Sequence, residues 1–326
     1  MHMADALVSP AVGVTMAAVS VGAIAYSVVK MKKEEDFDEK KVPLMAVSGA
    51  FVFAAQMINF TIPGTGSSGH IGGGILLAAL LGPYPALLTI SAVLLIQCLF
   101  FADGGLLALG CNIFNMGIIP CLFAYPLIFK PIAGKVLSNG RIMAASVVAV
   151  VIGLQLGAFG VVLETSASNV TALPFGTFLL LMQPIHLAIG IVEGIVTGMV
   201  LVFVRSMRPE ILKCSSEKKS LEDVSIKKTI IVFSAAALLI AGILSIFASS
   251  FPDGLEWAME KTAGTAELAN NGAFKDAAGS FQSQTAFMPD YDSGAAGIVG
   301  GLITVILTGI TGLIIYLVKR KKTCKA

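Results

Sequence analysis

Long apolar stretches, separated by short polar segments, run along the whole chain. Most are close to the roughly 20 residues that an α-helix needs to cross a bilayer. The third is shorter and Gly-rich, so we expect it to be re-entrant or tilted. The pattern predicts membrane-spanning helices at 8–29, 42–59, 70–82, 86–101, 112–130, 142–163, 177–204, 229–249 and 296–318.

The polar segments divide these helices into two groups. A charged segment at 206–228, which we expect to be a cytoplasmic linker, is too polar to span a membrane. It separates a seven-span module at 1–205 from a two-span module at 229–326. The segment at 250–295 joins the last two spans and has the composition of a soluble loop. We therefore predict an all-α, polytopic transmembrane protein.

Composition and charge support a membrane protein and set its orientation. Of the 326 residues, 56% are hydrophobic and 13% are charged, whereas soluble domains carry roughly 25% charged residues. This excludes a soluble globule, and a net charge of +2 argues against a nucleic-acid partner. Loops rich in Lys and Arg face the cytoplasm in membrane proteins, and this rule places the N-terminus outside and the C-terminus in the cytoplasm. Lys and Arg occur in 30–41, 130–141, 205–228 and 319–325, and are absent from 59–69, 102–111 and 164–176.

His2 directly follows the first residue, which creates a possible chelate. The α-amine of Met1, the amide nitrogen of His2 and its imidazole can close fused rings around one ion. Nitrogen ligands in a square plane suit Ni²⁺ or Cu²⁺, and less strictly Co²⁺. The alternative is a frayed terminal residue without a function.

Other polar residues are predicted on the same outer side. His70 lies in a Gly-rich segment, GHIGGG, and the topology allows it to meet His2; a locally bonded loop histidine is the alternative. Asp103 is the one charge of the next outer loop, where it would attract a cation, orient an imidazole or cap a helix. Asn112 and Asn115 share one helix face, and we expect them to stabilise structure rather than bind an ion.

His186 and Glu193 lie seven residues apart on one face of a predicted span. Ionisable residues inside a membrane are functional candidates by default, although a buried polar network that fixes helix packing is equally consistent. Their depth separates them from the outer nitrogen ligands. The segment 66–69 reads GSSG, so a Ser68–His186 pair of an intramembrane hydrolase is a further hypothesis. The chain has no GxxxxGK[ST] motif and therefore no P-loop ATPase site of its own.

Four motifs, in chain order, resemble a known family. They are MHMADALVSPAVG, GHIGGG, FADGGLLALGCNIFNMG and HLAIGIVEG. They resemble the cobalt- or nickel-binding substrate component (CbiM/NikM type) of energy-coupling-factor transporters, over residues 1 to about 205. The sequence PDGLE at 252–256 resembles the small two-span companion (CbiN/NikN type), fused here to the first module.

The resemblance implies a function and a ligand set. It implies capture of Ni²⁺ or Co²⁺ as transported substrate, without an organic cofactor, at the plasma membrane of a prokaryote. The ligands would be the Met1 amine, the His2 amide and imidazole, and the His70 imidazole, supported by Asp103. A transmembrane coupling protein and cytoplasmic ATPases would drive import, and the companion would assist metal loading. The stretch Met3–Ala6 departs from the family pattern and leaves nickel and cobalt both open. A stand-alone secondary metal transporter that uses His186 and Glu193 is the alternative.

Overall fold

The computed structural model describes residues 1–33, 37–134, 137–221, 224–269, 272–291 and 295–323. These residues are mainly helical, with one short hairpin formed by β1 (Phe60–Ile62) and β2 (Ser67–Gly69). The helices are α1 (Pro10–Lys33), α2 (Lys41–Gln56), α3 (Gly74–Leu81), α4 (Pro83–Phe101), α5 (Leu109–Ala133), α6 (Asn139–Ala167), α7 (Phe175–Met207), α8 (Pro209–Glu217), α9 (Lys227–Gly242), α10 (Gly254–Ala263), α11 (Ala273–Thr285) and α12 (Ala296–Thr323).

The helices confirm the predicted class of polytopic helical membrane protein. Within the described residues, six of them are long and apolar enough to cross a bilayer: α1, α4, α5, α6, α7 and α12. Helices α2 and α9 have 16 residues each, about 24 Å at 1.5 Å per residue. The hairpin is an addition to the predicted all-α structure. The end of the predicted basic tail, 324–326, lies outside the described residues.

The third predicted span is helical only in its second half. Residues 70–73 are not helical, and α3 has eight residues, so the prediction of a helix over 70–82 is wrong for its first four residues. Gly73 has a φ of +78°, which glycine adopts without strain. Irregular backbone at membrane depth needs internal hydrogen bonds. Gln56 Nε2 donates to the Gly72 carbonyl at 2.8 Å, and the Gly73 amide donates to Glu193 Oε1 at 3.0 Å.

The second module packs directly on the first. Helices α9 and α12 lie against α2, and α12 also contacts α4 and α1. Within the first module, α6 packs along α7. Gly194 permits this approach, because a Cβ there would lie 2.6 Å from the Cα of Val147. The two predicted modules therefore form one packed body in the structure.

Two cavities lined by charged side chains lie at opposite ends of α1. His2, His70, Asp103 and Asp253 line the cavity near its start. Lys41, Lys130 and Lys218 line a cavity of about 280 Å³ with Met31 and Phe37, where α1 ends. The predicted orientation, in which the first of these ends faces outward, stays a prediction.

Candidate functional site

The first eight residues are inserted into the protein instead of extending into solvent. Met1, Met3, Leu7 and Val8 are buried. Asn112, on α5, accepts a hydrogen bond from the Met3 amide at 2.8 Å and donates to its carbonyl at 3.2 Å. A frayed N-terminus is therefore wrong for this chain. These two bonds hold the backbone that carries the Met1 amine and His2.

Asp5 holds the same N-terminal segment in place, two residues after Met3. Its Oδ1 accepts hydrogen bonds from the amides of Leu107 and Ala108, at 2.8 and 3.1 Å. The Gly105 amide donates to the Met3 carbonyl at 2.8 Å, and a Cβ at Gly105 would collide with Asp5. The loop that contains Asp103 therefore lies directly against the N-terminus.

The Met1 amine and His70 lie side by side. The amine nitrogen is 3.1 Å from His70 Nε2, and the His2 and His70 rings stack with centroids 5.2 Å apart. His70 Nδ1 faces the Ile71 carbonyl at 3.4 Å. Because a carbonyl only accepts, this contact places the proton on Nδ1, and the lone pair of Nε2 accepts a hydrogen bond from the amine.

A relay of two glutamines reaches one nitrogen of the His2 ring. Gln56 donates to the Gly72 carbonyl, so its oxygen accepts from Gln97 Nε2 at 2.8 Å. The oxygen of Gln97 then faces His2 Nε2 at 3.2 Å. Asp103 Oδ1 lies at the same distance from His2 Nδ1, so each nitrogen of His2 faces an acceptor oxygen and these contacts do not select one tautomer. Sequence analysis did not identify either glutamine, because nothing in the local pattern shows that α2 and α4 bring them together.

The electrostatic environment favours the neutral form of both imidazoles. Burial lowers the pKa of His2, and nearby Asp103 offsets this only in part. Burial and the adjacent amine of Met1 hold the pKa of His70 well below its usual range. Asp103 Oδ1 lies 3.2 Å from His2 Nδ1, while its Oδ2 accepts a hydrogen bond from Tyr291 at 2.7 Å. Neutral imidazole is the form that binds a metal ion.

Asp253 is the site residue that sequence analysis missed. It comes from the second module, and its Oδ2 forms an ion pair with the Met1 amine. Its Oδ1 caps α10 by accepting from the Leu255 and Glu256 amides, each at 2.8 Å. Burial raises the pKa of Asp253, but the neighbouring Met1 amine and His70 lower it by a larger amount. The pKa of Asp253 therefore lies below its usual range. The D-x-x-E spacing signals a helix start, but it does not show which surface that helix contacts.

Two cavities meet at the Met1–His70–Asp253 layer. The outer cavity, of about 500 Å³, is lined by His2, His70, Asp103, Asp253 and Glu256, among others. The inner cavity, of about 40 Å³, borders Met1, His70 and Asp253 from the other side and extends to His186 and Glu193. The sequence placed His186 away from the outer residues, whereas the structure places it on the wall of a cavity that they share.

The remaining polar candidates have structural partners. Glu193 accepts from the Gly73 amide. The Ser68 hydroxyl donates to the Phe251 carbonyl at 2.7 Å, and His186 Nδ1 donates to the Met182 carbonyl at 2.8 Å. No Ser68–His186 hydrogen bond occurs among the described residues, and a nucleophile with its base requires one. The hydrolase hypothesis therefore has no geometric support.

Side chains alone do not form a metal site here. Within the part of the chain that the structure describes, no three His, Cys, Asp or Glu side chains gather as ligands. The His70 imidazole does lie beside the Met1 amine, at the end of a backbone whose next amide belongs to His2, and the His2 ring stacks on His70. An ion held here would therefore use backbone nitrogens together with side chains.

Known proteins share both parts of the chain. Residues 2–211 match the family model described as "Cobalt uptake substrate-specific transmembrane region", and residues 227–317 match the PDGLE domain. The fused nickel transport protein NikMN of Rhodobacter capsulatus is 31% identical over 225 residues, which cover 65% of this chain and 64% of that protein. The crystal structure of a truncated transition metal transporter, 31% identical, covers 64% of this chain and 99% of its own, with a TM-score of 0.56.

Proposed function

The chain belongs to the family of the cobalt uptake substrate-specific transmembrane region, with a PDGLE domain fused to it, and from this premise we propose that it captures nickel or cobalt ions for an ATP-driven importer. It is a multi-pass membrane protein, and we place it in the plasma membrane of a prokaryote. The observation that carries the proposal is the Met1 amine beside His70 Nε2, with the His2 ring stacked on the His70 ring.

The proposed ligands are the Met1 amine, the His2 amide and Nδ1, and His70 Nε2. With metal–nitrogen distances of about 2.0–2.1 Å, adjacent corners of a square lie about 3 Å apart. The amine and His70 Nε2 are 3.1 Å apart, so the pair fits adjacent corners without moving the backbone. Nδ1 of His2 is the proposed ligand nitrogen because it is the atom that closes a chelate ring with the backbone amide of His2, and Gln97 would accept the proton of Nε2 when Nδ1 binds the ion.

The outer cavity is the proposed route by which the ion reaches this set. Its acidic side chains, Asp103, Asp253 and Glu256, would attract a divalent cation from the outside. Asp103 lies beside His2 Nδ1 and Asp253 beside the amine, so each would offset charge at the bound ion without being a ligand. The second module would thereby complete a site that the first module begins.

The proposed energy source is ATP, hydrolysed by partner chains. The chain has no P-loop of its own, and Glu193, which a proton relay would need, accepts a hydrogen bond from the Gly73 amide. We expect nickel uptake by cells that contain the complete transporter to stop when ATP is depleted and to continue when an ionophore collapses the proton gradient at constant ATP. Uptake that follows the gradient instead would favour the secondary transporter.

Removing the charge of Asp253 tests the role of the second module. We expect Asp253→Asn to weaken nickel binding by about 10- to 100-fold, the usual cost of losing a partner that orients a metal ligand. The physical reason is that the amine loses the carboxylate that holds it beside His70. Titration of the purified protein measures the change. Glu260→Gln, an exposed acid at the end of the same helix, is the matched control, and equal affinity in both variants would contradict the assignment.

A further inference from the structure

His186 has a buried nitrogen without a partner among the described residues. The side chain is 1% exposed, and its Nδ1 lies 2.8 Å from the Met182 carbonyl oxygen. Since that oxygen only accepts, Nδ1 carries the proton, and Nε2 of the neutral ring keeps a bare lone pair. In the part of the chain that the structure describes, Nε2 has no hydrogen-bond partner. A buried acceptor without a donor costs free energy, so its presence calls for an explanation.

The free nitrogen lies at the inner cavity. His186 and Gly254 are both walls of this cavity of about 40 Å³, and a Cβ added to Gly254 would lie 3.3 Å from Nε2. The free edge of the ring therefore faces the second module and the space beside it. The volume exceeds the 10–15 Å³ or so that one water needs, so a single ion fits.

The inner cavity is lined mainly by apolar residues, so an imidazole nitrogen without a donor is unusual there. The apolar lining residues are Ile75, Met116, Pro120, Val150, Leu154 and Ile189. Met1 and His70 close the cavity on its outer side, which places the proposed capture ligands and the His186 lone pair on one continuous space. Imidazole suits the same divalent transition ions that the outer nitrogens would bind.

We propose that His186 Nε2 is an inner ligand for the transported ion. An ion that leaves the outer nitrogens passes His70 into the inner cavity and binds to His186 there, before release toward the cytoplasm. This proposal rests on the proposed function, because it concerns the same nickel or cobalt ion. It differs from a proton relay, since the ring acts through its free lone pair and keeps its proton on Nδ1.

The substitution His186→Asn separates a ligand from a packing residue. The asparagine amide nitrogen takes the position of Nδ1 and keeps the hydrogen bond to Met182, while the Nε2 atom is lost. We expect nickel capture by the purified protein and its thermal unfolding temperature to remain unchanged. Uptake through the complete transporter should fall at least about tenfold, as for loss of a metal-supporting group.

The matched control lies on the same helix. Thr197 is also buried with an unpartnered hydroxyl, but it is not part of the cavity wall, so Thr197→Val should transport like wild type. Wild-type uptake in His186→Asn would overturn the proposal, and so would loss of capture in that variant, because His186 would then belong to the outer set. Titration of the wild-type protein with nickel and cobalt separates this proposal from the proposed function. If the wild-type protein binds neither ion, the proposed function itself is wrong.

Discussion

Alanine at His70 is expected to abolish high-affinity nickel and cobalt binding, with a loss of more than about 100-fold. His70 Nε2 is the proposed ligand that comes from outside the first two residues, and it lies 3.1 Å from the amine. Its removal leaves three proposed ligands, all from the first two residues, with an open corner. His2→Ala should have at least as large an effect, because it removes the imidazole that closes a chelate ring. Equilibrium titration of purified protein with each ion measures both losses.

Ser68→Ala is the matched control for both histidine variants. Ser68 lies two residues before His70 and its hydroxyl contacts the second module through the Phe251 carbonyl, so its loss perturbs the same loop without removing a proposed ligand. We expect this variant to retain micromolar or tighter binding. Retention of such binding in both histidine variants would remove His2 and His70 from the ligand set. Labelling of Ser68 by a serine-directed probe would revive the hydrolase hypothesis.

Adding two residues before Met1 should abolish binding to a similar extent. The extension converts the amine to an amide, which removes its lone pair as a ligand, and it places extra chain where Met1 is only 6% exposed. It also removes the positive charge that pairs with Asp253. Nickel and cobalt titrations of native and extended protein, in parallel, measure the loss and also rank the two ions as cargo.

A two-residue addition at the opposite end of the chain is the control for this extension. The basic end of α12 contacts the body near Phe37, far along the helix from the site. The protein extended at this end should therefore bind nickel and cobalt with the affinity of the native protein. Unchanged binding after the N-terminal addition would show that the amine is not a ligand. The search for ligands would then turn to His70, His186 and Glu193.

The membrane helices were predictable because their signal is local. Each of the nine predicted stretches contains a helix, since twenty apolar residues have few other stable states in a bilayer. The start of the third stretch was not predictable from its own residues. Its non-helical form depends on Gln56 and Glu193, which reach Gly72 and Gly73 from α2 and α7. Such partners are known only once the helices are packed.

The candidate site likewise contains residues that the sequence predicts and residues that it does not. Met1, His2 and His70 were identified because histidines are scarce, and the structure brings all three together. Asp103 was identified as a lone charge and lies beside His2. Asp253 and Gln97 were missed, because one acts through a contact between modules and the other is an ordinary polar residue within α4. Chemistry that depends on rare residue types is visible in a sequence, whereas the partners that orient it are not.

The ion pair between Met1 and Asp253 joins two modules of a single chain, and this changes how its strength is to be understood. Tethered groups meet at an effective concentration of the order of millimolar, set by the connecting segment and not by the amount of protein. The carboxylate therefore stays at the amine even where the protein is scarce in the membrane. A weak contact is sufficient, and a weak contact can also open quickly when an ion arrives. If the modules were separate chains, the same occupancy would require a much tighter interface, which would open more slowly.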